Sequence, residues 1–200
     1  MLKETIIDAK VNDSPIKETC FEDETLIDVD ISRLDFEWVW FRKCRFVNCD
    51  FTRTNFYDVF FDNCDISNCT LNNSYWKKTQ INNCKAAGGS FNQAYFKEAK
   101  LQGSSFKYAN CVKTTWMSCI LNDCDFKEAF MSEVKFKSIK LHNVDLTRVD
   151  FFKTPLKDID LSACTIDGIM LSDTYKELRG VKINMYQAAG IAQLLGVQVV

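Results

Sequence analysis

The sequence predicts an all-β chain: a parallel β-helix of square cross-section, followed by one short C-terminal helix. Three observations carry this. Large apolar residues recur at every fifth position from Phe21 to Leu171 without a slip, small residues recur two places before them, and after Leu171 a helical pattern takes over. A helix returns to one face after three or four residues and a strand after two, so a period of five belongs to neither.

The stretch CRFVNCDFTRTNF, residues 44–56, shows the pattern: Phe46, Phe51 and Phe56 are five apart, as are Cys44 and Cys49. Of the 31 central positions from 21 to 171, 13 are Phe, 9 Leu, 4 Ile and 2 Trp, with Ala86, Cys111 and Met131 the exceptions. The position two before is small or β-branched in almost every five, as in Cys44, Cys49, Thr54, Val59, Cys64 and Cys69. The other three places are mostly polar, and an unbroken register leaves no room for an inserted loop.

One large and one small apolar residue flanking a polar one is the alternation of a very short strand. The remaining two residues must turn a corner, so four fives close a square and the next coil stacks on it at the strand spacing of roughly 4.8 Å. In rows of twenty, one inward column reads Phe36, Phe56, Trp76, Phe96, Trp116, Phe136 and Leu156, and another reads Cys44, Cys64, Cys84, Ser104, Cys124, Val144 and Cys164. At roughly 1.5–3 kcal/mol per large side chain buried, the first column is expected to be a core ladder that dominates stability.

The motifs CDFTR, CDISN, CDFKE and VDLTR resemble those of the pentapeptide-repeat proteins. The resemblance covers about three quarters of the chain and implies a right-handed quadrilateral β-helix over residues 21–173. The 31 fives correspond to almost eight coils, or roughly 37 Å of rod.

Ten cysteines raise the question of disulfides or metal. Eight occupy the small inward position, Cys111 a central one, and Cys20 neither, so the C-x4-C spacings at 44/49, 64/69 and 119/124 come from the repeat itself. Buried thiols are expected, and the sole histidine, His142, falls on an outward place. No catalytic Ser/His or Cys/His set and no Gly-rich phosphate loop is legible. Asp50, Asp65, Asp125 and Asp145 are expected to bond corner backbone rather than to act on a substrate. The reading is of a non-enzyme with no catalytic, metal or cofactor site. With no long apolar run and no signal-peptide profile, a soluble cytoplasmic protein without membrane or direct nucleic-acid contact is expected.

The ends depart from the repeat. Ile6, Val11 and Ile16 continue the five-step register weakly, but Glu4 and Glu24 fall on small inward places, so residues 1–20 are expected to be a cap or an irregular first coil. Residues 1–30 carry nine acids and three bases. The register fails at Lys176. Asn184 with Gln187 three residues on reads as a reciprocal helix cap, Ala188, Ile191, Ala192 and Leu195 as one apolar stripe, and Gly196 as the helix end. Such a helix either plugs its own coil end or joins two copies. Residues 174–200 are expected to form the dimerisation segment, with Tyr186, Ala188, Ile191, Ala192, Leu194, Leu195 and Val197 in the contact.

LRGVKINMYQAAGIAQLLGVQVV resembles the C-terminal segment of the Qnr/MfpA-type fluoroquinolone-resistance proteins, through Gly180, Val181, Lys182, Ile183, Gln187, Leu195, Gly196, Val197 and Val199. That resemblance implies a homodimer joined at its C-terminal end that engages DNA gyrase or topoisomerase IV and protects it from fluoroquinolones. The physical basis it implies is DNA mimicry, with carboxylates standing in for phosphates. This chain, like the loop-free kind, has no loops between coils. It also departs in charge: residues 31–140 carry 16 bases and 11 acids. Two alternatives remain open from sequence: an immunity protein against a topoisomerase-poisoning toxin, or a β-helical scaffold for another partner.

Overall fold

A computed structural model describes residues 1–199 as a parallel β-solenoid with a helix at each end. Through most of the repeat, paired residues are twenty apart. On one side Phe36 pairs with Phe56, and the column continues through Trp76, Phe96 and Trp116 to Phe136. On the next side Phe41 pairs with Phe61, and the column runs on to Leu141. After two longer strands, Ile16–Glu22 and Asp35–Arg42, these two sides carry three-residue strands, all joined in one 12-stranded sheet, while the third and fourth sides are held mainly by single bridges such as Asp65 to Lys85 and Thr70 to Ser90.

The corners use a conformation that the pattern alone did not specify. The second residue after each central one has a left-handed backbone, as at Asp58 (φ 52°), Asn63 (53°) and Asn68 (57°). This recurs at every fifth residue from Asp13 to Asp158 and again at Gly168, skipping Ala163. Left-handed backbone costs most L residues roughly 1–2 kcal/mol, and Gly, Asn and Asp least. Gly103 (φ +60°) shows why a side chain is unwelcome there, since a Cβ would lie 2.7 Å from Asn83 Oδ1.

Of the 31 central residues all are buried except Phe136, Leu141 and Leu171, which are half-buried. Phe36, Phe56, Trp76, Phe96 and Trp116 form a stack with successive ring centroids 5.6, 4.1, 5.5 and 4.0 Å apart. The indoles need acceptors, and the small inward position supplies them: Trp76 Nε1 donates to Ser74 Oγ at 2.7 Å and Trp116 Nε1 to Thr114 Oγ1 at 3.0 Å. Among the described residues no buried side-chain nitrogen or oxygen lacks a partner.

The N-terminal region is a helix, α1 (Leu2–Val11), rather than a continuation of the five-step register. Leu2, Ile6 and Ala9 are buried at helical spacing, while Val11 is exposed. Glu4 therefore sits on the helix surface instead of an inward place, and half-exposed Glu24 accepts from the Leu2 N–H at 3.4 Å. The Lys10 ammonium lies 2.6 Å from Asp30, tying the helix to the solenoid and holding the Asp30 carboxyl down at about 2. The ladder begins at Ile16, which pairs with Phe36.

Near the C-terminal end the ladder changes step. Asp160 bridges Lys182, an offset of 22 where every earlier pair is offset by 20. Two extra residues are taken up in Ser172–Lys176, and the failure of the register at Lys176 is this accommodation. Glu177, one place later, is buried.

Candidate functional site at the C-terminal end

The C-terminal helix α2 (Met185–Leu194) is built as its sequence requires. The Asn184 side chain accepts from the Gln187 N–H at 3.0 Å, and Gln187 Oε1 accepts from the Asn184 N–H at 2.8 Å, a complete capping box. At the other end Gly196 has φ +80°, its N–H reaching Gln193 O at 3.0 Å and the Val197 N–H reaching Ala192 O at 2.9 Å. This is the Schellman arrangement, which needs glycine at the left-handed residue.

The same cap residues attach the helix to the rod. Gln187 Nε2 donates to the carbonyls of Leu161 (2.8 Å) and Cys164 (2.6 Å), and Asn184 Nδ2 to that of Ser162 (2.6 Å). Those carbonyls belong to the last coil, where no further coil supplies donors, so the amides satisfy an open strand end.

The helix does not bury its apolar residues. Ile191 and Leu194 pack against the core, with Ala192 half-buried, but Tyr186 is 86% exposed, Leu195 51% and Val197 54%, and Ala188 is exposed as well. The stripe expected from sequence, Ala188, Ile191, Ala192 and Leu195, is thus divided: the inward face is Gln187, Ile191 and Leu194. Capping geometry sets this rotation, because Gln187 must point at the coil. The remaining apolar residues, with Met185 at 80% and Val199 at 51%, form an uncovered surface at the rod's end. Val200, the last residue of the expected dimerisation segment, lies outside the described residues.

Elsewhere the chemistry-bearing residues are occupied by the fold. Asp50, Asp65, Asp125 and Asp145 each accept the backbone N–H two residues on, at 2.8–3.0 Å. The latter two also pair with Lys107 and Lys127. All ten cysteines are free thiols, only Cys20 exposed. Burial pushes Cys111 up to about 12, and Cys119 and Cys124 up to about 11. Among the described residues no His, Cys, Asp or Glu cluster could hold a metal ion, and no helix is long and apolar enough to cross a membrane.

A profile of the family described as pentapeptide repeats matches residues 35–73 and 119–158, in 8 copies. Those two segments are pentapeptide repeats. Solved structures similar to it include a trypsin-treated variant of QnrB1, described as a plasmid-mediated fluoroquinolone resistance protein, at 21% identity and TM-score 0.42, covering 93% of this chain and 98% of that one. Full-length QnrB1 follows at 19% identity and TM-score 0.38, with 92% and 100% covered. HetL, a pentapeptide-repeat protein of Nostoc sp. strain PCC 7120 involved in heterocyst differentiation regulation, has 11% identity and TM-score 0.25, with 89% and 95% covered. No curated protein sequence matches the chain significantly.

One structural residue near the end of the repeat is not legible in the sequence. The carboxylate of Glu177 accepts from the N–H of Lys153 at 2.9 Å, the N–H of Ser172 at 3.3 Å and the Ser172 hydroxyl at 3.0 Å. Burial alone would raise its pKa, but these donors outweigh it and hold the carboxyl below the ordinary glutamate range. It staples the irregular turn where the repeat loses step, and the five-residue pattern carries no signal for a residue that lies just beyond it.

Proposed function

We propose that this protein forms a homodimer through its C-terminal end and binds bacterial DNA gyrase or topoisomerase IV in the cytoplasm, protecting the enzyme from fluoroquinolones without chemistry of its own. The observation that carries the reading is the end surface. The segment resembling the Qnr tail docks through Gln187 and Asn184 and leaves Tyr186, Leu195 and Val197 uncovered. A two-fold contact of this surface with itself would cover both copies at once and give a rod of double length, able to match a two-fold symmetric enzyme.

Mimicry of DNA by carboxylates is supported only at the N-terminal end, where nine acids face three bases in residues 1–30. The basic middle of the rod supports a second reading, a scaffold for an acidic partner, on the lysines described below.

The deciding experiment is supercoiling by purified gyrase with ciprofloxacin. Low micromolar protein should restore supercoiling and reduce drug-stabilised cleavage. Leu195→Asp should lose protection while keeping the solenoid's circular dichroism spectrum, and scattering should report half the wild-type mass. No change in supercoiling or cleavage with either topoisomerase from the matching organism, at any ratio, would leave the scaffold reading.

A further inference from the structure

The two strand-bearing sides of the rod end in an opening. The strands Lys135–Lys137 and Lys140–His142 are the two terminal members of the sheet order, paired only with the coil before them. One coil earlier the ladder is intact: the Ser118 N–H reaches Lys137 O at 2.8 Å and the Lys140 N–H reaches Cys119 O at 2.9 Å. The equivalent donors toward the following coil, the N–H groups of Ser138 and Asp160, make no hydrogen bond among the described residues. Two residues account for the break. Pro155 stands where Lys135, Thr115 and Tyr95 each donate an N–H to the coil before, and proline has none to give. Ala163 is the one corner in the series without left-handed backbone.

The core reaches solvent through this slit. Phe136, Ile139 and Leu141 are half-buried, while their equivalents one coil earlier, Trp116, Cys119 and Leu121, are at most 2% exposed. The coils on its N-terminal side are cationic, while the far lip carries Lys157 against Asp158 and Asp160. On these two sides, residues 75–84, 95–104, 115–124 and 135–144 carry seven lysines against two acids, Glu98 and Asp123. None of the seven (Lys77, Lys78, Lys97, Lys100, Lys135, Lys137, Lys140) forms an ion pair among the described residues, whereas Lys107, Lys113 and Lys127 on the other two sides do.

We propose that the slit beside Lys135–His142 is a docking site for an extended, acidic segment of a partner protein, whose backbone adds to the open ladder and whose apolar side chains sit against Phe136, Ile139 and Leu141. Each part of the occupant answers something present. Unpaired strand edges recruit a peptide backbone, the half-buried apolar residues ask for apolar anchors, and unneutralised lysines favour carboxylates and speed encounter. A nucleic acid would meet the charge but offers neither a strand edge nor aliphatic side chains. The inference uses none of the exposed residues of α2 and does not depend on the topoisomerase reading; it deepens the scaffold reading above.

The test uses the full chain and a fluorescein-labelled ten-residue peptide of alternating Glu and Val. Anisotropy should show binding that weakens with salt. Glu/Gly and Lys/Val peptides of equal length, and a ten-nucleotide oligothymidine, should each bind at least tenfold more weakly. Charge reversal of Lys135→Glu, Lys137→Glu and Lys140→Glu together should cost at least tenfold. Pro155→Thr, which returns an N–H to the ladder, should also cost at least tenfold while raising the thermal midpoint. Hydrogen exchange gives a readout that needs no variant: the Ser138 and Asp160 amides should exchange much faster than those of Ser118 and Lys140, and slow when the peptide is added. Tighter binding of oligothymidine than of the Glu/Val peptide, equal binding by all variants, or slow exchange at Ser138 and Asp160 in the free protein would each overturn the proposal.

Discussion

The indole Nε1 of Trp76 donates to the hydroxyl of Ser74 at 2.7 Å, and that hydroxyl donates in turn to Leu71 O at 2.6 Å, all of it buried. The small inward place thus does more than fill space, because it satisfies the polar edge of the large residue two positions on. Ser74→Ala leaves the indole donor unpaired and should destabilise by about 1–3 kcal/mol in a urea titration. In Ser74→Ala combined with Trp76→Phe, the second change should recover part of that loss.

Phe96 stacks between Trp76 (5.5 Å) and Trp116 (4.0 Å) in the middle of the aromatic column. Phe96→Ala should cost about 3–5 kcal/mol through the cavity it opens. Phe96→Asp, which buries an unpaired charge, should abolish soluble expression. Normal expression and stability of Phe96→Asp would contradict the stacked core.

Nine of the ten cysteines are buried. Cys111 is held up to about 12 and Cys119 and Cys124 to about 11, chiefly by burial, while Cys49 is drawn down to about 7 by its bond with Cys69, so for Cys49 it is burial rather than protonation that keeps the reagent away. Native protein should therefore release a single equivalent of thionitrobenzoate from Ellman's reagent at pH 8, the denatured chain ten, and Cys20→Ser none while folded.

Glu177 titrates below the ordinary range because its bound donors outweigh the effect of burial. A carboxylate with a depressed folded pKa contributes stability above its unfolded value, about 4.3, and loses it as pH falls through the lower folded value. Glu177→Gln should therefore be less stable than wild type at pH 7, and the gap should narrow as the pH falls below about 4. Glu177→Ala, which strips hydrogen bonds to a charged group, should cost on the order of 2–3 kcal/mol at pH 7 and loosen the turn that leads into α2.

The square solenoid, its aromatic column, the inward cysteines and the capped helix starting at Asn184 were legible in the sequence. A five-residue period leaves few ways to bury its large residues, and capping is local chemistry. Three features depended on contacts between coils. Residues 2–11 became a helix because Leu2, Ile6 and Ala9 cover the first coil's open end, which outweighs a weak five-step echo. The face α2 turns outward was decided by Gln187 reaching the carbonyls of Leu161 and Cys164, partners more than twenty residues away. The slit followed from Pro155, an outward residue that the period tolerates but the ladder does not, together with the altered corner at Ala163. Periodicity records which side chains point to the axis, whereas an unmet backbone donor in the next coil becomes visible only when the coils are stacked.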